Sequence, residues 1–167
     1  MSMFAKKVAL AKPSDSAGLF FLPGLYPLVQ IASLKLIQSK KPGREGAEMF
    51  IIDCDILDSR CPERPAGTQN VAQILNSQHV SAPDDVKRFL AALFNGEVDP
   101  DSIDEAGISA LVSAEQPAAG RCLALEVYDK KSEKTGKTFT KHVWRAPAPE
   151  LAAKAAELRA KLGLAPL

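Results

Sequence analysis

The clearest periodic stretch of the chain runs from Met49 to Leu57, where Phe50, Ile52, Cys54 and Ile56 fall on one side and Asp53 and Asp55 on the other. Alternation with a period of two predicts a strand with one buried and one wetted face. Tyr26 to Lys35, carrying the β-formers Val29, Ile31 and Leu34, predicts an earlier strand, and Pro27 sets its start at an edge. Thr68 to Leu75 alternates more weakly, with Val71 set against Ala72 and Ile74. The period then changes. Pro83 to Phe94 spaces Val86, Phe89, Leu90, Leu93 and Phe94 along one face of a helix, opened by Pro83 and stopped by Asn95-Gly96. Ile103, Ile108, Leu111 and Val112 predict a second short helix over Asp104–Ser113, with Gly107 working against it. Strand alternation returns in Arg121–Tyr128, through Leu123, Leu125 and Val127; Thr138–Arg145 is a β-rich partner strand, and the polar run Asp129–Lys137 between them predicts a hairpin. Glu150 to Leu162 reads as a helix with Leu151, Leu158 and Leu162 roughly in line.

This order divides the 167 residues into an irregular arm (1–23), one domain (24–146) and a helical appendage (147–167) set off by Pro147 and Pro149. In the arm, Ser14 to Gly18 is turn chemistry and Phe20-Phe21-Leu22 is a short apolar anchor. Three strands, a helical insert and a two-strand hairpin follow the order of an oligonucleotide-binding (OB) barrel. The expected fold is therefore mostly β: a five-stranded OB-like barrel with a helical insert between strands 3 and 4 and a C-terminal helix. Closing such a barrel removes free edges and leaves a curved face flanked by two loops, here Ser39–Gly46 and Asp129–Lys137.

Charge sharpens this picture. Lys+Arg is 21 and Asp+Glu is 20, a net of +1, which excludes an arginine-rich tail or a protein that coats polyanions with its whole surface. A polyanion would have to meet a local patch. From Asp129 to Arg145, six Lys/Arg face two acids, a local +4; from 84 to 105, seven acids face Lys87 and Arg88, a local −5. The insert is thus expected to face away from any polyanion. The longest apolar stretch, Ala17 to Ile37, is interrupted by Gly18, Pro23, Gly24, Pro27, Gln30 and Lys35, so no membrane partner is expected. Lys6 and Lys7 precede no apolar run, so no signal peptide is expected either. Three cysteines without a C-x-x-C, and two histidines away from zinc-ligand spacing, point to free thiols in a reducing, cytoplasmic setting. Asp53 and Asp55 have the spacing to share Mg²⁺ in a nuclease, but no lysine or histidine base accompanies them in that stretch. No Gly-x-Ser-x-Gly elbow or phosphate-binding glycine loop is present. The expectation is a non-enzyme without cofactor or metal.

Gly24-x-Tyr26 opening the first strand, the Arg44/Gly46 turn, the acid-lined second strand and Pro65-x-Gly67 before the third form one ordered set. The Val86–Phe94 helix and Lys134-x-Gly136-Lys137-x-Phe139 leading to Trp144 complete it. Over residues 24–146 this set resembles the small OB-fold single-stranded-DNA-binding proteins of tailed bacteriophages. The resemblance implies sequence-tolerant binding of single-stranded DNA in phage replication or recombination, in the host cytoplasm, with replication or recombination proteins as further partners and the oligomeric state open. Where many such proteins end in an acidic tail, this chain's last residues are a mixed-charge, Ala-rich helix. Single-strand binders pair cations with exposed aromatics. The phosphate candidates are Lys40, Lys41 and Arg44 in the first loop and Lys130, Lys131, Lys134, Lys137 and Lys141 in the hairpin, with Arg145 a further nucleic-acid-binding candidate. The stacking candidates are Tyr26, Tyr128, Phe139 and Trp144, with Trp144 weighed against a place in the core. Strand parity puts Tyr128 opposite the Leu123/Leu125/Val127 face. Phe139, Lys141 and Arg145 are expected to face outward, since burying Lys and Arg costs more. The alternative is a protein-interaction module on the same fold, its C-terminal helix docking on another subunit or enzyme.

Overall fold

Two long paired strands form the spine of the molecule. The computed structural model describes residues 19–38 and 46–167. β1 (Gly24–Gln38) and β2 (Glu48–Asp58) pair antiparallel, and Leu36, Ile37 and Gln38 carry the ladder past Lys35 opposite Phe50, Met49 and Glu48. β2 turns Phe50, Ile52, Cys54 and Ile56 into the core, as its alternation predicts. β3 (Val71–Asn76) pairs with β2. β4 (Cys122–Lys131) pairs with the other side of β1, and β5 (Thr138–Arg145) pairs with β4. The result is a mostly β fold built on a five-stranded antiparallel sheet in the order β3-β2-β1-β4-β5. Gly24 opens β1 at a tight crossing, for a Cβ there would lie 2.8 Å from Cβ of Cys61.

The expected barrel does not close. Among the described residues no ladder joins the edge strands β3 and β5. Part of the free edge of β3 is already taken: the Ala72 N–H donates to the Leu19 carbonyl at 2.9 Å, and Phe20 forms a parallel bridge with Ala72. Side chains fill the seam instead. Trp144 Nε1 donates to Gln73 Oε1 at 2.7 Å, joining β5 to β3. Phe21 stands edge-on to Tyr26 and to Trp144, at centroid distances of 5.1 and 6.0 Å. Phe21 therefore anchors its segment as expected, while Ser14–Gly18 lies outside the described residues.

α1 (Ala82–Phe94) covers the core with Phe89, Leu90 and Leu93, and Phe89 meets Trp144 edge-on at 5.2 Å. A 3₁₀ turn (Pro100–Ser102) and α2 (Glu105–Leu111) follow, with Ile103, Ile108 and Leu111 packed on the same core. The expected terminal helix is two pieces, α3 (Pro149–Ala152) and α4 (Ala155–Lys161). Neither is a free appendage. Leu151, Leu158 and Leu162 pack with Leu28 and Leu57 of the spine strands. Between them Arg159, buried to 4% exposure, donates from Nη1 to Asp55 Oδ2 at 2.8 Å and to Gln30 Oε1 at 3.1 Å. Its Nε and Nη2 donate to the Ala165 carbonyl. The helix that the alternative reading sets against a partner packs, in the fold, on its own sheet. Among the described residues no helix is long and apolar enough to cross a membrane. Cys54 and Cys61 are buried free thiols, and Cys122 is partly buried.

Candidate nucleic-acid interface

The β4–β5 hairpin runs out beyond the core. Burial ends at Val127, and Tyr128–Lys131 and Thr138–Thr140 are exposed on both faces. Its turn is pinned by the Ser132 N–H on the Lys137 carbonyl (2.9 Å) and the Gly136 N–H on the Ser132 carbonyl (2.8 Å). Gly136 sits at φ +68°, a left-handed conformation that glycine adopts without steric cost.

Register decides what this hairpin presents. Tyr128 lies directly opposite Lys141, and Lys130 directly opposite Phe139. Residues directly opposite share a face, so these four side chains form a checkerboard in which rings and ammonium groups alternate. Cross-strand neighbours stand about 5 Å apart and diagonal ones about 7–8 Å. Tyr128 is 39% exposed and Phe139 42%, so both rings are open to a ligand. Arg145, on the same face of β5, is loosely held by Glu126 at 3.8 Å. The outward orientation expected of Phe139, Lys141 and Arg145 is the one observed.

The remaining candidates are not gathered here. Lys131 lies on the opposite face with Thr138, its register partner, and Lys134 and Lys137 are exposed in the turn. Lys40, Lys41 and Arg44 lie outside the described residues. Two stacking candidates are corrected. Tyr26 has no exposed surface, and its hydroxyl donates to the Leu22 carbonyl; burial pushes its phenol well above the ordinary value. Trp144 is buried between Phe21 and Phe89, with its indole N–H committed to Gln73. Parity explains both: each ring lies on the core face of its strand, and the seam that Trp144 fills would otherwise be a void.

The two aspartates are engaged as well. Asp53 accepts from Ser33 Oγ at 3.1 Å and pairs with Lys35 at 3.3 Å, while Asp55 holds Arg159. His142 sits on the core side of β5, where burial drives its imidazole down to about 4 against a smaller opposing pull from Asp85, so it is neutral at pH 7.

Between β5 and α1 runs a groove of about 850 Å³. Tyr128, Phe139, Lys141 and Arg145 line it together with His142 and Trp144 from the other face of β5, and Asp85 and Arg88 of α1 line it as well. The insert is acidic as a whole, yet one stripe of its helix lines the same groove as residues of the hairpin. Arg88 carried no signal of its own in the sequence, because only tertiary packing brings α1 beside β5.

No family model matches the chain, and no curated protein matches its sequence. What defines the molecule is its own geometry: a mostly β fold with an open antiparallel sheet and a projecting hairpin of alternating rings and cations.

Proposed function

We propose that this protein is a non-enzymatic, sequence-tolerant binder of single-stranded DNA with an OB-like fold, acting in phage replication or recombination. The observation that carries the reading is the Tyr128/Lys141 and Lys130/Phe139 checkerboard on an exposed hairpin face. Any base has a π-face to lay on a ring, and a neighbouring ammonium meets the phosphate beside it, so the arrangement recognises a strand without reading its sequence. Duplex hides its base faces in the stack and offers nothing to Tyr128 and Phe139. The strand order supports the OB-like part of the reading, since β1 pairs with both β2 and β4 and the outer strands β3 and β5 face each other across the seam. The phage setting rests on the sequence resemblance over residues 24–146. The test is binding of a labelled dT oligonucleotide with equal-length duplex as competitor: the expected result is binding that duplex does not displace.

One observation favours the alternative, a protein-interaction module. Ile37 and Ile74 are 43% and 41% exposed, and the register sets them on one face of β1–β2–β3 with Met49 and Ile51. An aliphatic face of this kind suits a protein surface better than a nucleotide, for the cation that shares it, Lys35 opposite Ile51, is already paired with Asp53.

A further inference from the structure

We propose that α1 forms the second wall of the strand-binding cleft, with Arg88 holding a backbone phosphate opposite Lys141. The inference rests on the single-strand reading above and extends the site to an element that its net charge argues against. α1 buries Phe89, Leu90 and Leu93 in the core. Residues Ser81, Asp85, Arg88 and Ala92 recur at steps of four, three and four, so they form a separate stripe down the helix, and all of them line the groove facing β5.

The groove is cationic although the insert as a whole is acidic. Arg88, Lys141 and Arg145 line it, and Asp85 is the one acid among its lining residues. Other acids of the insert are turned elsewhere: Asp101 pairs with Lys87 at 2.9 Å and Glu97 with Arg121 at 3.3 Å. The Arg88 side chain is 72% exposed, and its guanidinium touches Asp85 at only 3.9 Å, a loose i,i+3 contact that a phosphate can replace. Small side chains at Ala91 and Ala92 keep the groove open beside it. A strand laid across Tyr128 and Phe139 leads from the hairpin face into this groove, because the same rings line both. Lys87, one residue earlier, is the internal control: it carries the same charge but lies on another side of the helix, held by Asp101.

The experiment measures dT-oligonucleotide affinity over a salt series for wild type, Arg88→Ala, Arg88→Lys, Lys87→Ala and Ala91→Glu. Each phosphate neutralised on a single strand contributes about 0.7 to the slope of log K against log salt. Arg88→Ala is expected to flatten the slope by roughly that amount and weaken low-salt binding several-fold, with Arg88→Lys restoring most of the slope. Ala91→Glu, at an exposed helical position that tolerates glutamate, is expected to weaken binding by placing a carboxylate in the groove. Lys87→Ala should leave the slope near wild type. If wild type binds and Arg88→Ala keeps the wild-type slope, or Lys87→Ala flattens it equally, the α1 wall is wrong and the hairpin reading stands. Absence of binding by wild type overturns both.

Discussion

Tyr128 and Trp144 lie on strands paired with each other, yet the structure gives them opposite surroundings. Trp144 fills the seam between Phe21 and Phe89 and is held by Gln73, whereas Tyr128 stands in solvent opposite Lys141. Alanine at Tyr128 or Phe139 should therefore leave folding intact while raising the Kd for single-stranded DNA about 5- to 150-fold, the range that 1–3 kcal/mol per stacked base implies. Binding titrations beside an unfolding curve for each variant read both effects; unchanged affinity in both variants would remove the rings from the site. His142 makes a different prediction. Its folded value of about 4 lies below its ordinary 6.5, so between those pH values the unfolded chain holds a proton that the native protein does not. Stability contributed by this residue is present above pH 6.5 and is lost as pH falls toward 4, with a ceiling of about 3 kcal/mol. Urea unfolding of wild type and His142→Gln at pH 7 and pH 4.5 tests it: the variant should lose less stability on acidification, and equal losses would contradict the assignment.

At the scale of elements, the hairpin was the most legible part of the chain. Its last strand, Thr138–Arg145, agrees in both bounds with the expectation, because Thr138, Phe139, Thr140, Val143 and Trp144 are β-formers and the turn residues before them are distinctive. The C-terminal helices were less so. Leucine spacing indicated an apolar stripe but not what it covers, and the partner of Arg159 is Asp55, 104 positions away. A lone arginine on an Ala-rich helix looks like surface; it is buried because an aspartate on the outer face of β2 and Gln30 of β1 await it. Removing one member of such a pair strands the other charge, so Arg159→Ala should cost about 3–5 kcal/mol in urea unfolding. Replacing both partners, Asp55→Leu with Arg159→Met, should recover most of that loss. A cost below 1 kcal/mol for Arg159→Ala would mean that Asp55 is satisfied without it.

For the whole molecule, the net charge of +1 conceals a strongly divided surface. Composition alone could not assign the sides, because sequence neighbours such as Lys87 and Arg88 point to different hollows once the helix packs. The strands, their buried faces and the insert were legible, since each follows from a local period. The open seam was not, as it depends on Trp144 reaching Gln73 and on Leu19–Phe20 lying beside β3. The same limit explains Tyr26: a tyrosine at a strand start reads equally as platform or core until the sheet curls over it. The central claim, a single-strand interface made of rings and cations, is tested most directly by fluorescence anisotropy of a labelled dT oligonucleotide titrated with this protein at low and high salt, with duplex as competitor. The account predicts binding that weakens steeply with salt and survives an excess of duplex. No binding at micromolar protein in low salt, or equal displacement by duplex, would contradict it.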